Sequence, residues 1–210
     1  MCKILDKVKG KSAEEILHEF WPEQTMPVNI EMILERIGIV YQADTFASLK
    51  ENEEIQKLIK EYGDIYGLIV ATEENVGIFY KKNILIIDDA KKRRISEYKD
   101  IFVLAHELGH CALHAMDVKR QPYIDFNLKN ARRFKNIDLE NSDMVKYYNR
   151  EVEANIFAGE LLVPEKKINE LLSKLDYPFL SIIADAFEVT ANVMKARLVY
   201  LGLPYIDDMR

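Results

Sequence analysis

The stretch FVLAHELGHCALH, residues 102 to 114, decides the reading of this chain, because it holds three of the four histidines at helical spacing. Each residue of an α-helix turns the side-chain direction by about 100°. With His106 at zero, His110, His114 and Glu107 point to roughly 40°, 80° and 100°, whereas Leu104, Ala105, Leu108 and Ala112 fall between about 160° and 260°. One face is polar and titratable, and the opposite face is apolar. From about Glu97 to Met116 the sequence is helical in period and apolar nearly all round, which predicts a buried helix. Histidines and a glutamate on a buried helix need partners.

His106 and His110 lie one turn apart, the separation at which two imidazoles can share one zinc ion at about 2.0–2.1 Å. Glu107 lies beside them, free to contact a water held by such a metal. His114 is eight residues from His106, about 12 Å along the axis, and is excluded from the same ligand set. It is expected to support a ligand or to pack in the core, as is Cys111, which turns toward the apolar side. By chance H-E-x-x-H arises in fewer than about one such chain in a hundred.

Two imidazoles leave a catalytic zinc short of a third protein ligand. The one histidine outside the cluster, His18, is remote, so the third ligand is expected to be a carboxylate. A helix predicted from about Tyr148 to Val163, stopped by Pro164, offers Glu151, Glu153 and Glu160. With Glu151 at zero, Ala154, Ala158, Leu161 and Leu162 lie between about −80° and 20°, an apolar face with two small residues that allow close helix approach. Glu151 and Asn155 lie on or beside that face, whereas Glu153 and Glu160 lie roughly 200° and 180° away. A glutamate on a buried face is costly unless it is paired or bound to a cation. Glu151 is therefore the expected third ligand, against the alternative that it pairs with a core Lys or Arg. Asn155, one turn on, is a candidate to accept a hydrogen bond from a ligand's free N–H. Two histidines and a glutamate suit Zn²⁺, one ion per chain, with Mn²⁺ the alternative.

The rest of the chain frames this pair of helices. Its 210 residues, 49% hydrophobic and 30% charged, suit one ordered enzyme domain with a helical extension. Two cysteines, Cys2 and Cys111, are too few for a disulfide framework and read as free thiols. No long apolar segment or export signal is evident, so a cytoplasmic protein with no membrane association is expected. SAEE at 12 to 15 has the form of a capping box, and a second helix is predicted from Asn29 to Ile37, closed by Gly38. IVYQA (39 to 43) reads as a strand, ENEEIQKLIKEYG (51 to 63) as a helix, and YGLIVAT (66 to 72), VGIFYK (76 to 81) and ILIIDD (84 to 89) as a small antiparallel sheet. Residues 119 to 150 carry eight Lys/Arg against four Asp/Glu and read as a solvated loop. EKKINELLSKL, LSIIADAF and TANVMKARLVYL then predict further helices. The expected fold is α+β: a small, mostly antiparallel sheet of three to four strands packed on the buried H-E-x-x-H helix, followed by an all-helical half. Residues 1–164 would form the core and 165–210 a helix-turn-helix-like extension packed on it.

These stretches resemble the ImmA/IrrE family of zinc metallopeptidases. The likeness rests on FVLAHELGHCALH (102 to 114), EVEANIFAGELLVP (151 to 164) and IADAFEVTANVMKARLVYLGL (183 to 203), with weaker similarity back to about residue 27. It implies a small sheet beside the motif helix, zinc held by His106, His110 and Glu151, and Glu107 as catalytic base. It also implies a protein substrate, a helix-turn-helix transcriptional repressor whose cleavage releases genes of mobile elements or stress responses. Two departures bear on the substrate: YKD (98 to 100) replaces an Arg often found before the motif helix, and the segment between the motifs is rather long.

In the expected reaction, a zinc-activated water attacks a peptide carbonyl and Glu107 carries its proton to the departing amine. Tyr147, Tyr148 and His114 are candidate donors to the developing oxyanion. An extended substrate is expected to add to an edge of the sheet at VGIFYK. Two readings compete. One is hydrolysis of a non-peptide amide, and the other a DNA- or repressor-binding regulator whose metal site is structural, with its recognition helix in the tail. The net charge of −6, and a tail with only Lys195, Arg197 and Arg210 against four acids, argue against direct nucleic-acid binding.

Overall fold

The computed structural model describes residues 2–44, 65–71, 74–81, 90–114, 123–128 and 142–208. The predicted helix at 51–63 and the predicted strand at 84–89 lie outside them. The chain is α+β, mostly helical around a small mixed sheet.

Three short helices open the chain: α1 (Lys3–Asp6), α2 (Ala13–Phe20) and α3 (Ile30–Ile37). The Ser12 side chain accepts from the Glu15 N–H and the Glu15 carboxylate accepts from the Ser12 N–H, the reciprocal arrangement that starts α2 where the sequence predicts it. Asn29 caps α3 in one direction only, its side chain accepting from the Met32 N–H at 2.9 Å, which satisfies one of the free donors of the first turn. Gly38 ends α3 at φ 96°, in the left-handed region that a side chain rarely adopts. Ile30, Ile33, Leu34 and Ile37 make the buried stripe of α3, the face a helical period sets apart. Arg36 joins it to the end of α2, donating to the Phe20 carbonyl at 2.8 Å and pairing with Glu23.

Strands β1 (Val40–Asp44), β2 (Ile65–Ala71), β3 (Val76–Lys81) and β4 (Tyr123–Leu128) form one sheet in the order β1-β3-β2-β4. β1 runs parallel to β3, whereas β2 is antiparallel to both β3 and β4. β3, the VGIFYK strand, is hydrogen-bonded on both sides and offers no edge to an extended substrate; that expectation is corrected.

Two long helices dominate the remainder, α4 (Ala90–Leu113) and α5 (Ser142–Leu162). Both begin earlier than the sequence reading places them, α4 taking in KKRR and α5 starting six residues before Tyr148. β4 lies between them, so the half after α4 is not all helical and the solvated loop expected over 119–150 contains a strand. α4 packs on α5 most extensively, and also touches β2, β3 and α3. Close approach of α4 to α5 follows from Gly109, where even a methyl group would come within 3.2 Å of the Ala154 backbone and 3.1 Å of the Phe157 ring.

α6 (Glu165–Leu172), α7 (Leu180–Ala186) and α8 (Ala191–Leu201) complete the chain. The Thr190 hydroxyl caps α8, as a residue of its type does at a helix start. Glu188 takes a positive φ of 53° in the turn between α7 and α8. Leu180, Ile183, Met194 and Leu198 are buried between these two helices and their neighbours. Arg197 is also buried; its Nε donates to the Val163 carbonyl at 3.1 Å, at the end of α5. No helix among the described residues is long and apolar enough to cross a membrane.

Candidate metal centre

α4 and α5 bring their polar residues together where they cross. His106, Glu107, His110 and Glu151 are all buried, although each carries a group that water would solvate strongly. His106 Nε2 lies 2.9 Å from His110 Nε2. The Glu151 carboxylate approaches both, at 3.4 Å from His106 Nε2 and 3.2 Å from His110 Nε2. Among the described residues these three are the group of His, Cys, Asp or Glu side chains placed to hold one ion.

The spacing tests that possibility. A tetrahedral ion with ligands at about 2.0–2.1 Å sets its donor atoms roughly 3.3 Å apart. The observed edges of 2.9, 3.2 and 3.4 Å have that size. The three donors are the imidazole nitrogens and carboxylate oxygens that zinc prefers. Burial raises the pKa of the Glu151 carboxyl, but the hydrogen bonds that His106 and His110 would donate through Nε2 with no ion between them, and the attraction of the two rings, outweigh it and bring the value down to about 2. Glu151 thus presents a carboxylate to the two rings.

Neighbouring groups orient the rings. Asn155 Oδ1 lies 3.0 Å from His106 Nδ1. As an acceptor it favours a ring proton on Nδ1, which leaves Nε2 free for an ion. His110 Nδ1 lies 3.0 Å from His114 Nδ1, and His114 Nε2 lies 2.8 Å from Glu153 Oε2. Burial pushes the His114 pKa down, and its hydrogen bond to Glu153 acts in the opposite sense. Both His114 nitrogens thereby have a partner at hydrogen-bond distance. Glu153, which the helix period turns away from the ligand face, was missed as a partner for this third histidine. Tyr148 is 39% exposed on α5. The side chain of Tyr147 lies outside the described residues.

Glu107 is fully buried, and its carboxyl reaches strand β2. A methyl group on Gly67 of β2 would overlap Oε1 of Glu107 and come within 2.7 Å of its carboxyl carbon. Glycine at that position leaves room for the carboxylate against the strand. Beside His106 a cavity of ≈ 420 Å³ opens between α5 and α8, lined among others by Phe102, Val152, Asn155, Ile156, Val193 and Tyr200. Asn155 belongs both to this cavity and to the His106 contact.

A protein-family model described as Peptidase_M78, IrrE N-terminal-like domain, matches residues 81–199. Comparison with curated proteins and with solved structures yields no match. The matched segment spans more than half of the chain and contains α4 and α5 with all three donors, and the protein belongs to the ImmA/IrrE family of peptidases.

Proposed function

We propose that this protein is a zinc-dependent endopeptidase whose substrate is a helix-turn-helix transcriptional repressor, cleaved to release genes of a mobile element or a stress response. The observation that carries the chemistry is the convergence of His106, His110 and Glu151, with the buried Glu107 carboxylate next to them on the same helix as the two histidines. In this reading His106, His110 and Glu151 hold the ion. Bound there, zinc supplies Lewis acidity and makes water a nucleophile at neutral pH.

The remaining work falls to the chain's own side chains. Glu107 removes a proton from the attacking water and delivers it to the departing amine nitrogen, so one carboxylate serves as base and then as acid. Gly67 lets that carboxylate sit against β2, where the strand limits its movement. Asn155, beside His106 Nδ1, holds that ring in the tautomer whose Nε2 is free to ligate. The mainly apolar cavity between α5 and α8 offers room for an apolar substrate side chain next to the reacting bond.

A structural metal site in a DNA-binding regulator has less support. Structural zinc is usually closed by four protein ligands, often cysteines. Here three donors converge among the described residues, none of them cysteine. Two of the three tail cations are committed as well: Arg197 is buried against α5, and Lys195 lies 2.7 Å from Asp207. Repressor identity rests on family resemblance alone.

The test is to incubate wild type and Glu107→Gln with the repressor encoded beside this gene, with and without a chelator. The reading expects a repressor fragment only with metal-loaded wild type, and zinc retained in Glu107→Gln. Cleavage by Glu107→Gln would remove Glu107 from its role. Cleavage surviving complete metal removal would reject the metallopeptidase reading.

A further inference from the structure

His114 and Glu153 lie next to the three donors without joining them, and the proton inventory of the site gives them a use. A neutral imidazole carries one N–H, so each ring donates through one nitrogen and accepts through the other. A ligating histidine must leave bare the nitrogen that faces the metal. For His110 that nitrogen is Nε2, 2.9 Å from His106 Nε2 and 3.2 Å from the Glu151 carboxylate. Its proton must therefore sit on Nδ1, which meets Nδ1 of His114 at 3.0 Å.

His114 alone cannot enforce this. If its Nδ1 donates, His110 Nδ1 must accept, and the His110 proton moves to Nε2, where it blocks the ligand position. Glu153 breaks the tie. A carboxylate only accepts. The 2.8 Å contact from His114 Nε2 to Glu153 Oε2 therefore places the His114 proton on Nε2. The His114 Nδ1 is then an acceptor, and the His110 Nδ1–H points at it.

We propose that Glu153 and His114 are positioning residues that set the tautomer of His110, leaving its Nε2 a lone pair where the three donors converge. This rests on the reading of His106, His110 and Glu151 as metal ligands. Asn155 does the same for His106 in one step; His110 needs two, because its immediate neighbour is another histidine. The side chain of Glu153 is 57% exposed, so removing it leaves the core intact and isolates this role.

The test compares wild type, Glu153→Ala, His114→Ala and His114→Asn, the last placing an amide oxygen near the former Nδ1. Zinc affinity is read by competition with a chromophoric chelator, and the His110 Nδ1–H by ring ¹H–¹⁵N correlation spectra of the zinc-loaded proteins, in which Nε2 faces the ion. Glu153→Ala and His114→Ala are expected to weaken zinc binding roughly 10- to 100-fold. Both should weaken or abolish the hydrogen-bonded His110 Nδ1–H signal, and His114→Asn should restore affinity and that signal relative to His114→Ala. Glu153→Ala with wild-type affinity and an unchanged His110 spectrum overturns this inference alone, as does His114→Asn binding no better than His114→Ala. Wild type that takes up no zinc overturns the metal reading and this inference with it.

Discussion

Glu107 and Gly67 constrain each other across two elements, since any side chain at 67 meets the carboxylate. Gly67→Ala is expected to shift the Glu107 carboxylate rather than the strand, because the obstructed atoms are the far end of a side chain. A displacement of about 1 Å at a reacting group costs on the order of 10²-fold in rate. Gly67→Ala should therefore lose turnover on that scale and keep its zinc, as paired measurements of kcat and metal content will show. Equal losses in both would mean that the ligands had moved too. At this scale the sequence was informative because helical period separates side chains by direction: His106, His110 and Glu151 come together in space. Glu153 escaped because period reports where Cβ points, not how far a long side chain reaches around a helix. Gly67 escaped because a glycine in a strand says nothing about which neighbour needs the space.

Between elements, the α4–α5 crossing sets the distance from the two histidines to Glu151. Gly109 sits at that crossing, against the backbone of Ala154, which cannot give way as a flexible side chain can. Gly109→Val should overpack the interface, costing about 1–3 kcal/mol of stability. It should also weaken zinc binding, because the donors lie on opposite sides of the crossing. Thermal unfolding of the metal-free protein and a zinc titration check both parts; unchanged values in both would show that the crossing is not set there. The short capped helices were legible because Ser12, Glu15, Asn29 and Gly38 carry local start and stop signals. The beginning of α4 was not, since KKRR holds no apolar residue from which a helical period could be read. β4 was hidden for a related reason. Ile124, Phe126 and Leu128 alternate as a strand does, but the surrounding charge drew the segment into a loop. Its pairing with β2 is a long-range contact that no local pattern reports.

For the molecule as a whole, a metal joining α4 to α5 links the matched segment's two long helices and should stabilise the fold by mass action. Zinc at a hundred times its Kd adds about 2.7 kcal/mol. In a chain of this size each kcal/mol raises Tm by roughly 2–4 °C, so saturation should raise Tm by about 5–10 °C. Chelator should reverse the shift, and Glu151→Ala should remove most of it. A Tm indifferent to zinc would mean that the donors do not bind the ion tightly in the folded state. The tail gives a second expectation at this scale. With Arg197 buried and Lys195 beside Asp207, the 210-residue chain should show no salt-sensitive binding to random duplex DNA. Fluorescence anisotropy across a salt series will report it, and a steep salt slope would restore the DNA-binding alternative.

The most direct test of a single metal centre built from two helices is a zinc titration of wild type beside Glu151→Ala, with bound metal counted after gel filtration. The wild-type protein should retain one zinc per chain. Glu151→Ala, folded but lacking its α5 ligand, should retain almost none or bind it far more weakly. A Glu151→Ala protein that loads one zinc per chain at wild-type affinity would contradict the assignment of Glu151 as the third ligand.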